Sequence, residues 1–342
     1  VSPVEKVVAG IDLGGTAINY TFLDERGQFL IDGLCEHPAR SIDGPAVCLK
    51  QIADGLNVAA KRAGVPMSKL VAAGLDTPGP ASAEGVLSRR GSTNFVHRDW
   101  AGFDIRAGVE ECLGIPVTYL NDGNAAALWG HASLFGSENT ATSVSAIIGT
   151  GLGGGVITGG RVVTGRNGFG GELGHVLIPY HDIPGIEGLV PRCNCGRTGD
   201  LESLCSLTAI RQSLLPHFLA KNPDHALASQ PDIATAAKLV RGLAERGDAM
   251  CREIFRVQAR ALARFFDEML NVFDPDALVV GGGAVEADQT FREWFLAEIR
   301  AGMPDQREEQ AAIPIHVIPS GDSAGARGAA LDAARLVRER GL

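Results

Sequence analysis

One pattern of strands and glycine turns occurs twice in the chain, and it constrains the fold more than any other feature. Val7-Val8-Ala9-Gly10-Ile11-Asp12 is an apolar run ending in a carboxylate, Leu13-Gly14-Gly15-Thr16 is a glycine-rich turn, and residues 18–23 alternate as a second strand. Asp24-Glu25-Arg26-Gly27 signals a turn, and residues 29–34 read as a third strand. The grammar returns at Ser143-Val144-Ser145-Ala146-Ile147-Ile148, with Gly149-Thr150-Gly151 as the tight turn. A second strand at 153–158, a Gly159-Gly160 turn and a third strand from Arg161-Val162-Val163 complete it. A duplicated strand meander followed by helix-strand alternation predicts two similar α/β domains facing across a central cleft. The competing reading is an ordinary α/β protein with two unrelated glycine hairpins.

Between the repeats, helical spacing through Val47, Ile52, Leu56 and Ala59 predicts a helix over 46–63 that ends near Gly64. A strand at 70–75, a helix at 103–112, a strand at 115–120 and an Ala-rich helix at 125–134 follow. From residue 207 onward helices dominate, at 207–219, 233–246 and 248–273. Strands at 277–280 and 313–318, with helices at 291–302 and 325–340, finish the pattern. No low-complexity linker divides the chain, so the hinge is expected in ordered structure near Asp122 and near Ser320. The expected division is a small domain of residues 1–121 plus about 322–342, and a large domain of residues 122–321.

The net charge of −9, from 31 basic and 40 acidic side chains, argues against a nucleic-acid surface, which needs a basic stripe. Seven cysteines, an odd number that includes the Cys193-Asn194-Cys195 pair, suit a reducing compartment and a metal site better than a disulfide framework. The chain enters its first strand at once, so no signal peptide is expected, and no apolar run approaches the roughly 20 residues of a membrane span. A cytoplasmic protein without membrane partners is the expectation.

Three glycine turns follow apolar strands, and each suits close approach to an anion or a flat ring. In Asp12-Leu13-Gly14-Gly15-Thr16, backbone N–H groups can point at phosphate oxygens, Thr16 can donate a further hydrogen bond, and Asp12 can hold Mg²⁺ through water. Gly149-Thr150-Gly151 offers a similar nest without the carboxylate, and Gly281-Gly282-Gly283 leaves room for a nucleotide base. Asn121-Asp122-Gly123-Asn124 lies between a strand and a helix. There Asp122 reads either as a group that takes a proton from a ligand hydroxyl or as a helix N-cap.

These motifs, together with Gly149-Thr150-Gly151-Leu152-Gly153-Gly154-Gly155, Glu172-Leu173-Gly174-His175 and Cys193-Asn194-Cys195-Gly196-Arg197-Thr198-Gly199, resemble the ROK family (repressor, ORF, kinase) over nearly the whole chain. The resemblance implies the actin-like, ribonuclease-H-like α/β fold, duplicated as two domains around a central cleft. It also implies ATP-dependent, Mg²⁺-assisted phosphorylation of a hexose, usually at the 6-hydroxyl, with glucose the commonest substrate. N-acetylglucosamine, N-acetylmannosamine, mannose, fructose and allose are the other sugars it admits. By the same resemblance Asp122 is the general base, Asn94, Asn121, Glu172, His175 and Glu202 contact sugar, and Asp12, Gly14, Gly15, Thr16, Gly149, Thr150, Gly151, Gly282 and Gly283 hold nucleotide. Specificity rests on the loops around Thr93, Asn94 and Glu172, and a homodimer is implied.

The family's zinc motif has a third cysteine where this chain has Asp200. The ligand set implied here is therefore His175, Cys193, Cys195 and Asp200, with His181 as a substitute and a longer loop before Cys193. Zinc takes a carboxylate oxygen at nearly the distance of an imidazole nitrogen, so this set is chemically sound, though weaker than one with three thiolates. The competing reading is a loop that has lost its metal. Ala17 also departs from the family, at a position often occupied by lysine, which removes a positive charge near the phosphates. Cys205 and the phenylalanines Phe255, Phe265 and Phe266 read as core, and Arg252, Arg256, Arg260 and Arg264 as a solvated or interface face. Two other functional classes compete: a sugar-sensing repressor of the same family, and a silent sugar-binding or actin-like structural protein. The family's repressors carry a helix-turn-helix ahead of the first hairpin, for which the residues before Asp12 leave no room, and intact Asp12 and Asp122 weigh against a silent protein.

Overall fold

The structure is a computed structural model that describes residues 5–90, 94–303, 307–319 and 321–342. Two five-stranded sheets share one strand order. The first sheet comprises β1 (Val7–Leu13), β2 (Ala17–Asp24), β3 (Glu36–Pro38), β4 (Leu70–Thr77) and β5 (Val117–Asn121), arranged β3-β2-β1-β4-β5. The second comprises β6 (Ser143–Ile148), β7 (Leu152–Thr158), β8 (Arg161–Val162), β9 (Ala277–Gly282) and β10 (Ile315–Val317), arranged β8-β7-β6-β9-β10. In the first sheet β1 is antiparallel to β2 and parallel to β4, and in the second β6 and β10 are both parallel to β9. The repeated grammar of the sequence is thus a repeated sheet.

Among the described residues ten α-helices accompany these strands: α1 (Pro45–Ala63), α2 (Ile105–Leu113), α3 (Asp122–Phe135), α4 (Leu207–Ala209), α5 (Leu215–Lys221), α6 (Ile233–Glu245), α7 (Ala249–Phe273), α8 (Gln289–Gly302), α9 (Glu308–Ala311) and α10 (Ala324–Arg340). Proline opens α1, where its missing N–H would be unpaired anyway, and Gly64 closes it in the left-handed conformation. Cys48, Ile52, Leu56 and Ala59 are fully buried in the core beneath it. Phe255, Phe265 and Phe266 are buried on α7 as the spacing predicts, and Cys205 is fully buried with its thiol donating to the Gln258 carbonyl at 3.2 Å. Three of the four arginines of this face have partners: Arg252 and Arg256 lie on the Trp294 ring, Arg256 pairs with Glu298 at 3.0 Å, and Arg264 pairs with Asp182 at 2.8 Å.

Two expectations need correction. The third strand is Glu36–Pro38, paired with residues 17–19, and residues 29–34 make only a bridge between Leu23 and Phe29. The apolar run there touches β2 only at Phe29 and Leu30, and after the turn at Gly33, φ 77°, the chain returns to β2 at Cys35. The helix expected at 207–219 is broken by a π turn, Ile210–Leu214, ahead of α5. Pro216 has no N–H to donate to the turn before it, so the ladder widens there.

By contact density the chain forms two compact units. One holds Val1–Asn139, Gly155–Gly171 and Ile318–Leu342, and the other holds Thr140–Gly154 and Glu172–Val317. Within the first unit, α10 lies directly on the sheet because both surfaces are stripped of side chains. A Cβ on Gly10 would come within 1.8 Å of the Ala326 carbonyl oxygen, and one on Gly74 within 1.9 Å of the Ala329 oxygen. The Ala-rich composition of the terminal helix is therefore a packing requirement. No helix among the described residues is long and apolar enough to cross a membrane.

Candidate functional site

In the first unit, β1 and β2 meet at a tight turn in which Gly14 N–H donates to the Ala17 carbonyl at 2.9 Å. Gly15 lies close against the Asn94 side chain, for a Cβ there would sit 2.9 Å from Asn94 Oδ1. The Ser41 hydroxyl reaches both the Gly15 and Asn94 carbonyls, at 2.6 and 3.0 Å, and so ties Asn94 to the turn. Thr16 is exposed at the turn's tip. Asp12 at the end of β1 accepts from Asn19 Nδ2 at 3.3 Å, and burial pushes its carboxyl above the usual range.

At the end of β5, Asn121 caps α3: its Oδ1 accepts from Gly123 N–H at 2.9 Å. The N-cap is therefore Asn121, and Asp122 is the first helical residue, with its side chain exposed. Asp122 Oδ1 also accepts from Gly123 N–H, at 2.7 Å. The cap alternative for Asp122 is corrected to this extent. One acidic residue went unrecognised in the sequence. Asp76 pairs in register with Asp12 across β1 and β4 and is fully buried. Burial lifts its carboxyl well above the ordinary value, and the charges of Asp12 and Asp122 add to the effect. Its proximity to Asp12 depends on strand register, which no local spacing reveals.

In the second unit the other two glycine turns come together. Gly149, Thr150 and Gly283 line one cavity of about 350 Å³ with Lys238, Arg241 and Phe255 among its other walls. Leu207 and Thr208 N–H groups donate to the Gly149 and Thr150 carbonyls, at 3.0 and 3.1 Å, which fixes the turn against the start of α4. Arg241 donates to the Gly283 carbonyl at 2.7 Å. Gly282 has φ 82° and lies so near β6 that a Cβ would meet the Ile148 carbonyl oxygen at 2.4 Å. Gly151 faces the Glu202 carboxylate, which would be 2.5 Å from a side-chain carbon there.

The metal motif also converges within this unit. The ligand atoms of His175, Cys193, Cys195 and Asp200 all lie within 4.8 Å of one another. Asp200 Oδ2 is 3.2 Å from His175 Nδ1 and 3.4 Å from Cys195 Sγ, and Cys193 Sγ is 3.9 Å from the same imidazole nitrogen. Tetrahedral zinc, with bonds of about 2.3 Å to sulfur and about 2.0 Å to nitrogen and oxygen, requires ligand edges of about 3.3–3.8 Å. The four side chains fit such an ion. Asp200 is oriented by its other oxygen, which accepts from Ser203 N–H at 3.0 Å. His181 is not in the cluster and stacks on Tyr180 instead, with ring centroids 4.1 Å apart. Burial pushes the Cys193 thiol up, and that thiol donates to Glu202 Oε1 at 3.2 Å. Glu202 Oε2 accepts from Leu152 N–H at 2.8 Å. Glu172 is exposed, yet desolvation raises its carboxyl; His175 opposes the shift and Glu202 adds to it. Thr93 and Ser320 lie outside the described residues.

Two sheets of matching order, each with a glycine turn at its first hairpin, define the duplicated, actin-like α/β fold of sugar kinases. The chain belongs to the ROK family, whose model matches residues 8–335. A glucokinase of Halalkalibacterium halodurans is 31% identical over 287 residues, covering 82% of this chain and 81% of that protein. An N-acetylmannosamine kinase of Escherichia coli is 28% identical over 295 residues, covering 84% of this chain and 87% of its own. Among solved structures, a ROK hexokinase from Thermus thermophilus superimposes with a TM-score of 0.73 at 31% identity, covering 97% of this chain and 99% of that one.

Proposed function

We infer that this chain is an ATP-dependent hexose kinase that transfers the γ-phosphoryl group to a sugar hydroxyl, with O6 of glucose as the first candidate. The observation that carries the reading is the family match across residues 8–335; the exposed carboxylate of Asp122 on the first turn of α3 supports a role for that residue within it. In this reading Asp122 takes the proton of the attacking hydroxyl. It can do so as a base because the cap bond of Asn121 already satisfies the local backbone. The sugar-contact residues of this reading are Asn94, Asn121, Glu172, His175 and Glu202, since side chains with two acceptors or an acceptor and a donor suit vicinal hydroxyls. Gly14, Gly15 and Thr16, and Gly149, Thr150 and Gly151, present backbone N–H groups to phosphate oxygens, and the cavity beside Gly283 receives the nucleoside. Gly282 keeps the end of β9 close to β6 there.

Asp12 would hold Mg²⁺ through water, and the ion would supply neutralisation of charge on the transferring phosphoryl group. His175, Cys193, Cys195 and Asp200 would hold zinc, which would fix the orientation of the His175 imidazole. The supporting facts are the ligand edges and the buried, hydrogen-bonded Asp200. A small domain of residues 1–121 with about 322–342, a large domain of residues 122–321, a homodimer and a cytoplasmic location belong to the same proposal.

The test is ADP release on incubation with ATP and, separately, glucose, mannose, fructose, allose, N-acetylglucosamine and N-acetylmannosamine. Glucose as the preferred acceptor is the expected result. Preference for N-acetylmannosamine would select the second reading, which the 28% identical relative favours. No ADP release with any sugar would overturn both.

A further inference from the structure

Asp76 has no role in the reaction as described, and its surroundings demand one. Asp12 and Asp76 are register partners on adjacent parallel strands, so their side chains leave the same face of the sheet about 4.8 Å apart. Gly10 and Gly74, two residues earlier on each strand, lie under α10, and the carboxylates lie under its first turn. Gly325 there lies close on both carboxylates, since a Cβ would be 3.1 Å from both Asp12 Cγ and Asp76 Oδ1. Asp76 is fully buried, and neither of its carboxylate oxygens has a hydrogen-bond donor among the described residues. The buried Asn19 Oδ1, on the side chain that donates to Asp12, likewise has no partner.

A fully buried carboxylate beside a second, partly exposed one requires a cation or a shared proton between them. Neither Asp12 nor Asp76 is paired with a Lys, Arg or His among the described residues. The N-terminus of α10 contributes at most roughly half a positive charge against two negative ones. The pair is not sealed, because the Asp12 side chain is only partly buried. A hard divalent ion fits this set of oxygens: Mg²⁺ takes one or two carboxylates and fills its octahedron with water and phosphate oxygens.

We propose that Asp76 completes a two-carboxylate divalent-cation site with Asp12, one that takes Mg²⁺ or Mn²⁺ directly and before any nucleotide binds. Asp12 alone, acting through water, would wait for the metal to arrive with the nucleotide. With Asp76 the two carboxylates would hold the ion before nucleotide arrives, leaving its remaining positions to water and donor phosphate. The purpose of the site rests on the kinase reading, but its existence does not, and the experiment measures existence alone.

The probe is Mn²⁺, titrated into the full chain without nucleotide or sugar, with free ion read from its electron paramagnetic resonance signal. Wild type is expected to bind one Mn²⁺ per chain at this site, displaced competitively by Mg²⁺, and Asp76→Asn to bind it at least tenfold more weakly. The thiol cluster of the second unit is common to both proteins and cancels in the comparison. Equal Mn²⁺ affinity in wild type and Asp76→Asn would overturn the proposal, as would the absence of nucleotide-free binding in wild type. If Asp76→Asn does not fold, the wild-type protein decides. Its thermal unfolding midpoint rises with Mg²⁺ or Mn²⁺ in the absence of nucleotide if the site exists, and an unmoved midpoint overturns it. A chain that binds Mn²⁺ in this way and phosphorylates no sugar would refute the kinase reading and leave the site standing.

Discussion

Replacing Asp122 with Asn removes one charge and one proton acceptor and disturbs little else. The bond from Gly123 N–H to Oδ1, at 2.7 Å, survives in the amide, and the Asn121 cap at 2.9 Å is untouched. Loss of a carboxylate from the first turn of a helix costs about 0.3–1 kcal/mol through the helix dipole. Against this, the charge of Asp122 is one of those that disfavour ionised Asp76, so its removal relieves a buried carboxyl. The two effects oppose each other, and the variant is expected to fold with stability within about 1 kcal/mol of wild type. General-base catalysis contributes about 10²–10⁴-fold, which at 1.36 kcal/mol per decade is about 2.7–5.4 kcal/mol of transition-state stabilisation. Steady-state turnover, read as ADP release under saturating ATP and sugar, should fall by that factor, while sugar affinity measured by calorimetry stays within a few-fold. Turnover within tenfold of wild type would refute the assignment of Asp122 as the base. Equal losses in turnover and sugar affinity would instead make it a binding residue.

Two further outcomes follow from the second unit. Glu172 has a raised carboxyl, so its proton returns at a higher pH than for an ordinary glutamate, and its capacity to accept sugar hydroxyls is lost as pH falls through that raised value. Sugar KM should therefore rise on acidification from neutral pH, a dependence that Glu172→Gln should flatten while raising KM throughout; an unchanged profile in the variant would exclude the role. Zinc removal by chelation should lower the unfolding midpoint and raise sugar KM with less effect on the KM for ATP, both restored by added zinc; full sugar affinity in protein shown to be metal-free would separate the cluster from the substrate.

The parts of this fold that were legible in the chain are those with local causes. Period-two apolar runs and glycine turns are short-range signals, so β1, β2, β6 and β7 and the turns at Gly14 and Gly149 stand out. Strand β3 did not, because Glu36-His37-Pro38 at the edge of a sheet has no apolar alternation to read, whereas residues 29–34 do. Asn121 and Asp122 are both good cap residues, and only the backbone dihedrals, with Asn121 extended at φ −70°, ψ 148°, decide between them. Asp76 was hidden for a different reason. Its neighbour Asp12 is 64 positions away in sequence (76 − 12), and the two meet only because β1 and β4 pair in parallel at that register. The metal ligands were legible as residue types, but whether Asp200 turned inward depended on the bond from Ser203 N–H that orients its carboxylate.

Glu202 is where the chemistry of the second unit becomes a single problem. One of its oxygens holds Leu152 N–H at 2.8 Å beside the glycine turn, and the other receives the Cys193 thiol proton at 3.2 Å. That second bond exists only while Cys193 is a neutral thiol, the form its burial favours. A thiolate cannot donate, and thiolate is the form that binds zinc. Metal loading would therefore take the donor away from Glu202 Oε1 and leave that oxygen to accept a hydrogen bond from elsewhere, while the bond to Leu152 keeps the carboxylate in place. A sugar hydroxyl is a suitable donor. In the proposed kinase the metal would act on the sugar twice, by orienting His175 and by freeing Glu202, and Asp200 in place of a third thiolate would weaken the hold on the ion without altering that exchange.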